Sequence, residues 1–145
     1  MLEQRRLRVV FCQGRSDARE RDLVVTSFLD RTHLVFPFRD TDRGLQAAGR
    51  GFISGGEGRQ INGLWLREED PDATITHLEQ LASDRNTRSF MPVVVTHDSA
   101  PVWSKWILGL KLQEFGVVQH LQQPLLAGDV LNAVRKMESS VGVVS

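Results

Sequence analysis

The sequence predicts a parallel α/β domain with helices on both faces of the sheet. Three observations carry this: five short apolar runs recur along the chain, stretches of helical periodicity separate them, and helix-start residues stand between run and stretch. The runs define strands at Leu7–Phe11, Leu34–Phe38, Ile61–Leu66, Pro92–Thr96 and Val117–Leu121. After the first, Ser16 or Asp17 can cap a helix in which Val24, Val25, Phe28 and Leu29 form one apolar stripe, and Glu20 stands where a capping-box acid reaches back to Asp17. A shorter helix follows, from about Asp42 to Ala48. "REEDPDATITHLEQLA" holds the clearest start signal, with Asp70 as N-cap and Pro71 at the first helical position, ahead of Ile75, Leu78 and Ala82 on one face. The last helix, from about Leu126 to Met137, buries Val130, Val134 and Met137. Between the second helix and the third strand, "GRGFISGGEGRQ" has five glycines in twelve residues and reads as a flexible loop that matches no phosphate-binding fingerprint. The domain spans residues 1–138, with 139–145 as a flexible tail.

At 145 residues the chain fits one domain that buries roughly two thirds of its unfolded surface, so it needs neither a disulfide nor a structural metal. Cys12 is the only cysteine, which excludes an internal bridge, and no run reaches the length of a membrane span or has the pattern of a secretion signal. A cytoplasmic protein is expected. Lys plus Arg and Asp plus Glu balance at 18 each, so no global basic field draws the chain to nucleic acid, and the arginines near its start alternate with Asp17, Glu20 and Asp22. The four histidines, His33, His77, His97 and His120, show no metal-ligand spacing; neither metal nor cofactor is expected.

The first strand ends in "VVFCQGRSD", and in a parallel sheet the junction to the next helix lies at the carboxyl edge, where ligands and chemistry usually sit. Cys12, Arg67, Thr96, His97 and His120 all fall at or near such strand ends, so the fold can gather them in one crevice. A cysteine ahead of a helix start can have a depressed pKa and serve as a nucleophile in phosphoryl transfer, which makes a small flavodoxin-like enzyme the rival reading. Spacing opposes it. Phosphatases of that kind need an arginine six positions after the cysteine, and that position is Ala18. Cys12 then reads as a small core residue.

The order of elements, with "MPVVVTHDSA" as fourth strand and "VVQHLQQPLLAGDVLNAVRKM" as fifth strand and last helix, resembles the receiver domain of bacterial response regulators over almost the whole chain. That resemblance implies a flavodoxin-like, CheY-like (βα)5 fold with a doubly wound five-stranded parallel sheet. Carried over position by position, the acidic pair that holds magnesium falls on Gln13 and Gly14, the phosphoacceptor aspartate on Arg67 and the lysine on Gln123, while Thr96 keeps the family's hydroxyl. Aspartyl phosphorylation needs a carboxylate nucleophile, a divalent ion held by acids and a cation for the phosphoryl oxygens. The expectation is a degenerate receiver that does not use phosphorylation as its switch. Arg67 either fills the emptied metal pocket, bonding first-strand carbonyls or Asp17, or points to solvent at a strand end.

In "PVWSKWILGLKLQEF" helical spacing puts Trp103, Trp106, Ile107 and Leu110 on one stripe and Leu108, Leu112 and Phe115 nearly opposite. A helix apolar on two faces wants a partner besides its own sheet, and the resemblance places this helix on the surface that receivers use for dimerisation and signalling. The sequence does not say which stripe turns inward. A protein partner or a second copy is expected, a symmetric homodimer first, with DNA reached only through a fused or partner domain. "LEQLASDRNTRSFMPVVVTHDSAPVW" is similar to the amino-terminal domain of the flagellar master regulators among enhancer-binding transcription activators, so the regulatory domain of such an activator is the first expectation and a stand-alone adaptor the second. The Arg-x-x-Asp stretches Arg19 to Asp22 and Arg39 to Asp42 prompt a cyclic-dinucleotide reading, against which stands a solvated run of charges.

Overall fold

The computed structural model describes residues 6–53, 59–84, 91–98 and 112–142. The elements run β1 (Arg8–Cys12), α1 (Ala18–Leu29), β2 (Leu34–Phe38), α2 (Thr41–Arg50), β3 (Phe52–Ile53), β4 (Arg59–Gln60), β5 (Gly63–Arg67), α3 (Pro71–Asp84), β6 (Val93–His97), β7 (Val117–Gln122) and α4 (Ala127–Val141). Five strands form one sheet in the order β2-β1-β5-β6-β7, every neighbouring pair parallel. This is the expected doubly wound, flavodoxin-like architecture.

Alternation along the strands divides the core in two. Val10, Cys12, Leu64, Leu66, Val93 and Val95 pack with Leu45, Ala48, Leu78 and Leu81 of α2 and α3. Val9, Phe11, Trp65 and Val94 pack with Val24 and Phe28 of α1 and Val130, Val134 and Met137 of α4. Strands covered on both faces have no solvent side, which is why they read as continuous apolar runs rather than alternating ones. Phe28 meets Trp65 edge to face, with ring centroids 5.6 Å apart. Pro37 interrupts β2 without harm because β2 is an edge strand.

The starts of α1, α2 and α3 are set by aspartates, whereas α4 begins after Leu126 without a side-chain cap. Asp17 Oδ1 accepts from the Glu20 amide at 2.8 Å, Asp40 Oδ1 from Asp42 at 2.9 Å, and Asp70 Oδ1 from Asp72 at 2.8 Å. Asp17 rather than Ser16 is therefore the first cap; Ser16 turns back to the Gln13 carbonyl with both its amide and its hydroxyl.

Several expectations need correcting. Leu29 is 55 % exposed, so the buried stripe of α1 is Val24 and Phe28. In α3 it is Leu81, not Ala82, that turns into the core. The glycine-rich stretch carries a short antiparallel ladder, Phe52 opposite Gln60 and Ile53 opposite Arg59, and the Ile61 amide donates to the Gly51 carbonyl at 2.7 Å. That tie draws Ile61 out of the third sheet strand, whose pairing starts at Gly63. The terminal helix runs past residue 138 to Val141 and ends at Gly142 in the left-handed region, so the first residues of the expected tail are helical.

Candidate functional site

The strand order reverses beside β1: the chain goes from β1 to β2 on one side and then crosses to β5 on the other. The crevice outside the carboxyl ends of β1 and β5 is thus the topological switch point, the usual place for a ligand in such a sheet. Gln13 and Gly14 follow β1, Arg67 ends β5 opposite Thr96 of β6, and Gln123 follows β7. The five residues carried over from the receiver pattern therefore lie along one edge.

Arg67 fills the crevice. It is 7 % exposed and its guanidinium donates from Nη2 to Asp98 Oδ1 at 2.6 Å and from Nη1 to the Glu68 carbonyl at 3.3 Å, while Nε lies 3.5 Å from Glu20 Oε2. The alternative in which it points to solvent is excluded. Its partners differ from those expected, since Glu20 and Asp98 take the role assigned to first-strand carbonyls and Asp17. Gly14, at φ +53°, makes room: a Cβ there would stand 3.1 Å from the Arg67 carbonyl and 3.4 Å from its Cγ.

Glu20 comes from α1 and is 4 % exposed. Its amide serves the cap, but its carboxylate turns inward instead of back to Asp17, accepting from Thr96 Oγ1 at 3.2 Å. Burial pushes its pKa up, against the opposing pull of Arg67, Thr96 and the nearby Gln123 amide. The compensation is incomplete: Arg67 Nε and Gln123 Nε2 are buried without a well-formed hydrogen bond.

Beside the crevice, buried Glu68 accepts from His77 Nδ1 of α3 at 2.7 Å, and this bond, with further help from the charges of Glu68, Asp42 and Asp70, raises the His77 pKa against its partial burial. His97, also buried, donates from Nδ1 to the Asp98 carbonyl at 3.0 Å, and its Nε2 stands 3.4 Å from Nδ1 of the exposed His120. Burial lowers the His97 pKa, and the charges of His120 and Arg67 act in the same direction.

Cys12 is not at the junction. β1 extends one residue further than its apolar run, which places Cys12 inside the sheet at 0 % exposure. Burial, with Glu68 and Asp40 nearby, pushes the thiol up to about 12, opposite to what a nucleophile requires. The Gln13 amide donates to the Phe38 carbonyl at 2.9 Å, closing the loop above it.

Neither Glu20 nor Asp98 stood out in the sequence, because the first resembles an ordinary capping acid and the second an ordinary loop residue. Trp103, Trp106, Ile107 and Leu110 lie outside the described residues. Of the opposite stripe, Leu112 is buried in the α2/α3 side of the core and Phe115 packs against it. Among the described residues no helix is long and apolar enough to cross a membrane.

No family model matches the chain, and no curated protein matches it. Solved structures do. A putative CpaE2 pilus assembly protein from Sinorhizobium meliloti 1021 is 25 % identical, with a TM-score of 0.63 over 89 % of this chain and 97 % of that one. A pilus assembly protein CpaE from Caulobacter crescentus CB15 is 18 % identical over 90 % and 98 %, TM-score 0.62. A two-component response regulator from Legionella pneumophila is 14 % identical over 92 % and 99 %, TM-score 0.64. The chain shares its fold with these structures, a two-component response regulator among them.

Proposed function

We propose that this receiver-like domain works without phosphorylation, as a regulatory module that docks a protein partner or a second copy of itself. The observation that carries the proposal is Arg67: a permanent cation, buried and paired with Glu20 and Asp98, stands where a receiver needs a carboxylate nucleophile and a metal. Gln13 and Gly14 bring no acid to the crevice, and Gln123 brings no cation for a phosphoryl group. Cys12 has no catalytic part on this reading, because its thiol is buried and held protonated.

Leu112 and Phe115 pack on the core, which supports the tryptophan stripe, opposite them by helical spacing, as the partner surface. Trp106→Glu then dissociates the partner or dimer without unfolding the domain. Of the two settings for such a module, a pilus assembly protein of the CpaE kind is favoured by 25 % identity over 89 % of the chain. The regulatory domain of a transcription activator rests on the resemblance of residues 78–103 alone.

The test is intact mass spectrometry after incubation with acetyl phosphate and magnesium, with light scattering on the same sample. No phosphoryl adduct and an unchanged oligomeric state are expected; an adduct on any Asp or Glu of the carboxyl edge overturns the proposal.

A further inference from the structure

Strand β7 lies at the edge of the sheet and its register is irregular. Among the described residues it pairs only with β6, so its other side offers unpaired backbone groups to an added strand. Val117 stands opposite Val93 and Gln119 opposite Val94, which leaves Val118 as the extra residue of a bulge. Regular alternation would send Val118 and Gln119 to opposite faces. Here Val118 packs on the α1/α4 half of the core and Gln119 accepts from Lys136 Nζ of α4, so both turn to the same side. Between them and α4 runs an open groove of about 590 Å3.

The wall of the groove is a polar face of α4, on which Asn132, Arg135, Lys136 and Ser139 are all exposed. Among the described residues no carboxylate stands within ion-pair distance of Arg135 or Lys136. The one acid in the described lining is Asp129, in the first turn of α4, where the positive end of the helix offsets its charge. It lies six positions ahead of Arg135, about 9 Å along the helix. The middle of the groove is therefore cationic. Guanidinium, ammonium, amide and hydroxyl can all donate there, which suits carboxylates.

We propose that β7 and this groove form a docking site for an extended, acidic segment of a partner protein, which adds as a strand to the open edge beyond the bulge. Alternate side chains of an added strand point to one face, so every second residue of the segment hangs over the groove. Acids at those positions meet Arg135 and Lys136. Main-chain bonds to β7 supply affinity, and the charged wall selects the partner. The site stands apart from the function proposed above, because it uses neither the switch-point crevice nor the tryptophan stripe.

The test selects displayed random peptides of about ten residues on the full chain. An enriched peptide is then titrated by fluorescence anisotropy into the wild type, Arg135→Glu/Lys136→Glu, and Arg43→Glu/Arg50→Glu, a charge-matched control on the exposed side of α2. The expected result is acids enriched at every second position and protection of the β7 amides from exchange when the peptide binds. Affinity falls at least about tenfold in the α4 variant and stays within about twofold of wild type in the control. Selected peptides without that alternation, or binding that both double variants weaken equally, overturn the proposal. So does a chain that self-associates in light scattering and comes apart in Arg135→Glu/Lys136→Glu, since the groove then belongs to a second copy. Arg135 and Lys136 are both exposed, so the variant keeps its fold, and its unfolding curve checks this.

Discussion

Two arginine–glutamate pairs stand at opposite edges of one sheet and are held in different ways. At the amino edge, Glu138 of α4 accepts from Arg31 Nε at 2.9 Å and Nη2 at 2.7 Å, and from His33 Nε2 at 2.7 Å. His33 Nδ1 accepts the Leu7 amide at 3.1 Å, which fixes the ring's proton on Nε2. Burial pushes the Glu138 carboxyl up, but the Arg31 and His33 hydrogen bonds outweigh it and its pKa ends below the ordinary 4.5. At the carboxyl edge, Glu20 has one bond from Thr96 and a looser contact with Arg67, and burial wins. The first pair joins the α1–β2 turn to the terminal helix and is satisfied. The second occupies the switch-point crevice and is not. Ionisable groups buried without full compensation gather at sites where function, rather than stability, has set the residues.

The contrast can be broken by substitution. Removing Arg67 leaves a carboxylate buried without its cation, so Arg67→Ala costs about 3–5 kcal/mol at neutral pH, read as a fall in the urea midpoint. The deficit shrinks on acidification, because a proton on Glu20 replaces the lost guanidinium. Glu138→Ala costs less, about 2–3 kcal/mol, since Arg31 is partly exposed and regains water.

The two acids also have opposite pH signatures. Glu20, with its folded pKa raised, contributes stability that is full below its ordinary value of 4.5 and is lost as pH rises through the raised value. Glu138, with its folded pKa lowered, contributes above 4.5 and loses that contribution as pH falls through the lowered value. Urea unfolding of Glu20→Gln and Glu138→Gln across pH 3 to 7, at roughly half-unit steps, should therefore show the wild-type advantage over the two variants moving in opposite directions.

Steric contact gives a smaller effect. A Cβ on Gly44 would collide with Cys12 Sγ, so Gly44→Ala lowers stability by about 1–3 kcal/mol, and Cys12→Ala in the same chain recovers part of the loss. The smallest effect is at His77. Its raised pKa means that its bond to Glu68 contributes fully below 6.5 and fades as pH rises through the folded value, so His77→Gln loses roughly 0.5–1 kcal/mol at pH 6 and less at pH 9.

The topology was legible because each buried strand reads as an uninterrupted apolar run and each long inter-strand helix carries a start signal such as Asp70–Pro71. Strand ends were less so. Cys12, Arg67, His97 and Gln122 each extend a ladder one residue beyond its apolar run, since backbone pairing, not hydropathy, decides where a strand stops. That single residue moves Cys12 from the crevice into the core. The carboxyl-edge pocket was legible as a set of missing acids but not as a set of contacts. Glu20 has two tasks on one residue, an amide for the cap and a carboxylate for Arg67, and a capping pattern reveals only the first. The Arg31–His33–Glu138 cluster spans more than a hundred positions, and no local periodicity connects its members.

A double-mutant cycle tests the central claim most directly: unfolding free energies of the wild type, Arg67→Met, Glu20→Gln and the double variant at pH 7. If Arg67 is held in the crevice by Glu20, the double variant loses less than the sum of the single losses, with a coupling of about 2 kcal/mol. Losses that add to within about 0.5 kcal/mol would mean that the two side chains do not sense one another, and the internal clamp would have to be abandoned.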